Sequence, residues 1–203
     1  VRIALNLKGL AYRQVPVHLV KDGGQQHAAE YRAFNPQGLV PLLVDEVNGG
    51  ARIAQSLAIL EYLEEVFPVP ALLPDDPVRR AQVRALAMHI ACDIHPLNNL
   101  RVLKYLSSEL GVDDEAKKAW YRHWVADGLS RFEADLASGG TTGRFCHGDS
   151  PTMADCCLVP QIFNAHRYEC DTSGYPVTMR VFAECMKMEA FVRAQPTKQP
   201  DAE

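Results

Sequence analysis

Four prolines between positions 68 and 77 (Pro68, Pro70, Pro74 and Pro77) divide this chain into two parts with different hydrophobic periods. Proline fixes φ and carries no N–H, so such a cluster ends helices and ladders alike and marks a linker. Ahead of it, short apolar runs with strand character alternate with helical segments. Beyond it, nearly every apolar run repeats with the period of a helix. The pattern predicts a mixed α/β unit over residues 1–69 and an all-helical unit over residues 75–203, both of ordinary domain size.

Local signals fill in the first part. Ile3, Leu5, Leu7 and Leu10, interleaved with Arg2, Asn6 and Lys8, predict an amphipathic helix closed by Gly9. No N-cap residue precedes Val1, so this helix is expected to begin upstream, after a first strand that is missing from the chain. Tyr12, Val15, Val17 and Leu19 predict a strand. A loop with Gly23 and Gly24, a short helix to Phe34 and the breaker Asn35-Pro36-Gln37-Gly38 follow. Residues 40–44 predict another strand, with Pro41 at its start, where a missing N–H is tolerated. A turn over 45–50, a strand over Ala51–Ala54 and a helix opened by Gln55-Ser56 complete the unit. In the second part, residues 77–110 predict a long helix, with Val83, Leu86, Ile90 and Ile94 inward, interrupted or kinked at Pro96. Further helices are expected over 113–136, from Thr152 onward, and over 177–188 and 189–194, with a frayed tail after Gln195. Thr152 and Asp155 form a Thr-x-x-Asp capping box, a structural role.

Composition narrows the function. Twenty-five acidic against 21 basic residues give a net charge of −4, which speaks against a nucleic-acid partner. No apolar run approaches the ~20 residues that span a bilayer, so no membrane association is expected. Arg2 and Lys8 interrupt the opening stretch, which therefore does not read as a signal peptide. The six cysteines include no C-x-x-C pair and are expected as reduced thiols of a cytoplasmic protein. Cys92, Asp93 and His95 stand too close along one helix to face a common ion, so no metal is expected.

Several segments carry a resemblance over essentially the whole chain: VRIALNLKG, the Asn35-Pro36-x-x-x-Val40-Pro41 loop, QSLAILEYLEE, IHPLNNLRVL and TMADCCLVPQ. Together they resemble the zeta class of glutathione transferases, which contains maleylacetoacetate isomerase and a bacterial maleylpyruvate isomerase. The resemblance implies an N-terminal thioredoxin-like, glutathione-binding domain whose first strand is missing here, and a C-terminal helical bundle domain. It implies glutathione as cofactor and a small dicarboxylic keto acid as substrate. The implied reaction is cis–trans isomerisation of maleylacetoacetate to fumarylacetoacetate in tyrosine catabolism. Alternatives are isomerisation of maleylpyruvate, conjugation or dehalogenation of small α-halo acids, and a non-catalytic glutathione transferase-like module. A cytoplasmic homodimer is implied as well.

Residue by residue, the resemblance assigns Gln26, Val40, Pro41, Gln55, Ser56, His95 and Asn99 to glutathione, and Arg101 and Arg167 to the substrate carboxylates. It implies a cis bond at Val40-Pro41. The chemistry agrees: a helix N-terminus at Gln55-Ser56 favours the γ-glutamyl carboxylate, and guanidinium binds carboxylate in a two-pronged fashion. Plainer readings stand beside these. Ser56 reads equally as an N-cap, Gln26 as a surface residue, His95 as a half-exposed polar residue, and the arginines as ion-pair partners. The catalytic residue is unknown from this sequence; the resemblance implies a serine in an S-S-x-x-x-W-R-like motif upstream of Val1.

Overall fold

The structure is a computed structural model that describes residues 1–202. It clusters into two units, Val1–Pro70 together with the segment from Arg193 onward, and Ala71–Val192.

In the first unit, helix α1 (Arg2–Leu7) buries Ile3, Ala4 and Leu5. It ends as expected: Gly9 takes φ 66°, its N–H donates to the Asn6 carbonyl at 3.1 Å, and the Leu10 N–H donates to that of Leu5 at 2.9 Å. Only glycine adopts that φ without steric cost. Lys8, between helix and glycine, is fully buried. Its ammonium donates to Glu64 Oε2 at 2.8 Å and to the Phe67 and Pro70 carbonyls at 2.6 and 2.9 Å. All three donors are used, which is what makes a buried cation tolerable.

Residues 12–19, expected as a strand, form none. Apolar spacing supplies a face to bury, but a strand also needs a neighbour for its backbone groups, and none pairs with this run among the described residues. Tertiary bonds hold it instead: the Gln25 N–H donates to the His18 carbonyl at 2.8 Å, and the Gln14 amide donates to Asp201 Oδ1 at 2.9 Å. The tail is therefore not frayed as expected. Arg2 reaches the Ala194 carbonyl at 3.2 Å, and the segment from Arg193 clusters with the first unit rather than with the helices that precede it.

The sheet is an antiparallel hairpin of β1 (Leu42–Asp45) and β2 (Ala51–Ala54), with Leu42 opposite Ala54 and Asp45 opposite Ala51. Asp45 organises its turn, accepting the Val47 and Asn48 N–H groups at 3.0 and 3.1 Å. The Tyr62 hydroxyl donates to the same carboxylate at 2.6 Å. That bond foremost, with those from Asn48, lowers the Asp45 pKa to about 2. Helices α2 (Ala29–Phe34) and α3 (Ser56–Val66) flank the hairpin in sequence, and α3 buries Ile59, Leu60 and Leu63.

In the second unit the expected helix over 77–110 is broken rather than kinked. Helix α4 (Pro77–Met88) passes into a wide π turn (His89–Ile94), a tight 3-10 turn (His95–Asn98) and α5 (Leu100–Ser108). Pro96 offers no N–H to the preceding turn, and in a continuing α-helix its ring would clash with the carbonyl of residue 92, so no regular helix passes through this position. Val83, Ile90 and Ile94 are buried as expected, while Leu86 is only half-buried. Helix α6 (Asp114–Ser138) is capped by Asp113, which accepts the Ala116 N–H at 2.8 Å. Helices α7 (Met153–Arg167), α8 (Pro176–Cys185) and α9 (Glu189–Val192) complete the unit.

The capping box at α7 is present. Asp155, wholly buried, accepts the Thr152 N–H at 2.7 Å, the Thr152 hydroxyl at 2.8 Å and the Cys146 N–H at 2.9 Å. Burial pushes its pKa up and these bonds oppose the shift. All six cysteines are free thiols. No helix among the described residues is long and apolar enough to cross a membrane.

Candidate functional site

The first unit concentrates unusual backbone around one loop and one helix start. The Val40–Pro41 bond is cis, and Val40 is 42% exposed. The approach to it is fixed by the Leu39 carbonyl, which accepts the Tyr31 hydroxyl at 2.6 Å and the buried Asn35 amide at 2.7 Å. Gln55 has φ 71° and ψ 121°, a region that costs a non-glycine residue about 1–3 kcal/mol and that clusters at ligand sites. Its side chain donates to Gln37 Oε1 at 3.0 Å, tying the helix start to the loop before Val40.

Gln55, and not Ser56, occupies the N-cap position of α3, and no side chain caps the helix. Ser56 is therefore the first helical residue, which corrects the reading of it as an N-cap. Its hydroxyl has no hydrogen-bond partner among the described residues. Uncapped N–H groups, the positive end of the helix dipole and an unengaged hydroxyl together make a seat for a carboxylate.

Gln26 is not a surface residue; it is 6% exposed. Its Nε2 reaches the Leu19 carbonyl at 3.4 Å and faces His27 Nε2 at 3.2 Å. Its Oε1 is buried without a partner, an orphan acceptor that a bound donor would satisfy. Gly24, at φ 105°, makes room for this side chain, since a Cβ there would stand 2.6 Å from Gln26 Nε2. The Gln26 carbonyl lies against Gly38, where a Cβ would meet it at 3.2 Å. Gln26 thus abuts the loop that leads to Val40. These features fit a peptide-like ligand bearing carboxylate and amine groups.

In the second unit His95 and Asn99 belong to different elements, the 3-10 turn and the N-cap of α5. They nonetheless meet: Asn99 Nδ2 stands 3.4 Å from His95 Nε2. Asn99 also caps α5 by accepting the Arg101 N–H at 3.1 Å. His95 is exposed at the surface of the unit, yet the protein packed around its ring lowers its pKa, and the Arg101 charge lowers it further. The ring therefore stays neutral at neutral pH.

Arg101 and Arg167 are both exposed, and neither guanidinium has an ion-pair partner among the described residues, while Arg122 and Arg131 pair with Glu169 and Asp127. The salt-bridge reading of Arg167 does not hold. Arg167 is the last residue of α7, and the next residue, Tyr168, stacks on Tyr121 with centroids 3.7 Å apart.

Three features were not legible in the sequence. Trp120 donates its indole N–H to the Leu97 carbonyl at 2.8 Å, inside the turn between His95 and Asn99. Asn98 is buried with both polar side-chain atoms unpartnered. A second cis bond joins Val69 and Pro70. No group of three metal-binding side chains occurs among the described residues.

Two family models match the chain: the N-terminal domain of glutathione S-transferase over residues 1–66 and the C-terminal domain over residues 116–183. A probable maleylacetoacetate isomerase of Vibrio cholerae is 48% identical over 202 residues, covering 100% of this chain and 92% of that protein. Among solved structures, a holo maleyl pyruvate isomerase described as a bacterial zeta-class glutathione S-transferase aligns with a TM-score of 0.94 at 47% identity, covering 100% of this chain and 93% of that one. The maleylacetoacetate isomerase of Methylobacterium extorquens AM1, with bound malonate and glutathione, aligns with a TM-score of 0.94 at 42% identity over 100% of this chain and 92% of that one.

Proposed function

We propose that this chain, which belongs to the glutathione S-transferase family in its zeta class, is the glutathione-dependent enzyme that isomerises maleylacetoacetate to fumarylacetoacetate. When bound, glutathione supplies a thiolate nucleophile that the isomerisation returns unconsumed. The chain's own residues bind and orient. Ser56 and the uncapped first turn of α3 hold the γ-glutamyl carboxylate, with Gln55 at the amine beside it. The Val40 backbone, beside Pro41, pairs with the cysteinyl unit. The orphan Oε1 of Gln26 accepts from the amide N–H of the glycyl unit. His95 and Asn99 contribute a neutral imidazole and an amide toward glutathione.

The observation that carries the substrate assignment is the pair of unpaired guanidiniums, Arg101 and Arg167. An exposed arginine without a carboxylate partner is suited to take one from a ligand, and a maleyl keto acid is a dicarboxylate. Thr152 and Asp155 have a structural role only. A homodimer working in the cytoplasm, in the catabolism of tyrosine, completes the proposal.

Maleylpyruvate is the second reading, favoured by relatives of that name at nearly the same identity. The test is kcat/KM of the full-length protein for each keto acid, with and without glutathione, followed by loss of the cis enol absorbance. Maleylacetoacetate is expected to be preferred, with turnover only when glutathione is present. A preference of tenfold or more for maleylpyruvate would transfer the assignment.

A further inference from the structure

Three consecutive residues of α6 hold two distant segments. Trp120 donates to the Leu97 carbonyl at 2.8 Å, within the 3-10 turn that begins at His95 and leads through the Asn99 cap to Arg101. Tyr121, buried, lies flat on Tyr168, with ring planes 8° from parallel. Arg122 donates to the Tyr168 carbonyl at 3.2 Å and to Glu169 at 3.1 Å. Tyr168 directly follows Arg167. One short stretch of helix therefore grips the segment before Arg101 and the residue after Arg167.

The grip on the first segment is specific. A 3-10 turn has weaker internal bonds than an α-helix, and Pro96 removes a donor from this one. An external N–H aimed at Leu97 fixes where the turn sits; a phenyl ring at position 120 would pack without fixing it. Trp124 steadies the indole from the side, its ring centroid 5.6 Å away. Further along α6, Gly128 seats Ile94, the buried residue before His95: a Cβ there would stand 2.6 Å from Ile94 Cδ1. Glycine inside a helix is otherwise unfavourable by about 1 kcal/mol, so its place here is explained by that contact.

Two guanidiniums that each take one carboxylate measure the distance between the two acid groups. We infer that Trp120 and Tyr121 are positioning residues that set the spacing between Arg101 and Arg167, and with it the length of dicarboxylic acid the enzyme accepts. The inference rests on the reading of these arginines as ligands of the substrate carboxylates.

Competitive inhibition of the full-length enzyme by malonate, succinate and glutarate tests it. The wild type should discriminate among the three, and Trp120→Phe should compress the ratio of weakest to strongest inhibition by about fivefold, the worth of one hydrogen bond. Tyr121→Leu should compress it as well. A merely structural role would lower the melting temperature and the active fraction and leave the ratio unchanged; that result, or a wild type indifferent to length, overturns the inference. Should Trp120→Phe fail to fold, benzothienylalanine at position 120 exchanges only the ring N–H for sulfur and gives the same readout. Arg101→Gln and Arg167→Gln separate the two failures. If they weaken inhibition about tenfold while Trp120→Phe leaves the ratio intact, only the spacing inference falls. If neither weakens inhibition, the arginine reading itself falls and the inference with it.

Discussion

On the function proposed above, the two units would meet their ligands by different means. The first offers mostly backbone, with a cis bond at Val40–Pro41, a strained Gln55 and an uncapped helix start at Ser56, supplemented by the Ser56 hydroxyl and the Gln26 side chain. The second would offer side chains at the ends of helical segments: Arg101 at the start of α5, Arg167 at the end of α7 and His95 on the 3-10 turn, next to segments that α6 holds. Backbone groups suit a ligand that is itself a peptide and never varies. Charged side chains suit a ligand whose shape differs from one enzyme to another, because one substitution alters them without refolding the chain.

The largest effect expected is on the first unit alone. Lys8→Met takes the ammonium from the buried Glu64 and strips two carbonyls of their donor. It should destabilise the protein by about 3–5 kcal/mol. Both tryptophans, Trp120 and Trp124, lie on α6. In urea, glutathione binding should therefore be lost at a lower midpoint than tryptophan fluorescence. Coincident midpoints would mean that the two units unfold as one.

Next, Arg167→Gln should raise KM for the keto acid about tenfold or more, the worth of a charge-assisted pair, and leave KM for glutathione within about twofold. Ser56→Ala should do the reverse, raising KM for glutathione about fivefold with little change for the keto acid. Steady-state kinetics with each substrate varied in turn would check both. Crossed effects would break the division of the two ligands between the two units.

The smallest effect concerns the hairpin turn. The Asp45 pKa is depressed to about 2, first by the Tyr62 hydroxyl. A depressed carboxylate contributes stability that is present above the ordinary range near pH 4 and is lost as pH falls toward 2. Tyr62→Phe should move the Asp45 titration, followed by NMR, back toward the ordinary value.

What the sequence made legible was local. Gly9 closing α1, the turn around Asp45, Pro77 opening α4 and the Thr152–Asp155 box all act within a few residues, and the structure has each of them. Long-range contacts decided the rest. The run over 12–19 carries strand-like spacing, yet its bonds reach as far as Asp201. Pro96 announced an interruption, but not the π and 3-10 turns, which meet Gly128 and Trp120 on another helix. Of the candidate site, every assigned residue, Gln26 and Gln55 included, came from motif resemblance. The positive φ of Gln55 and the burial of Gln26 did not, because nothing in a glutamine's identity indicates a positive φ or an orphaned oxygen.

The central claim is that glutathione takes part without being consumed. The most direct measurement follows free thiol and fumarylacetoacetate together while full-length enzyme, given substoichiometric glutathione, converts an excess of maleylacetoacetate. The account predicts many product molecules per glutathione and a constant thiol signal. Product formation that stops at one equivalent, with the thiol lost, would make the protein a conjugating transferase and contradict the account.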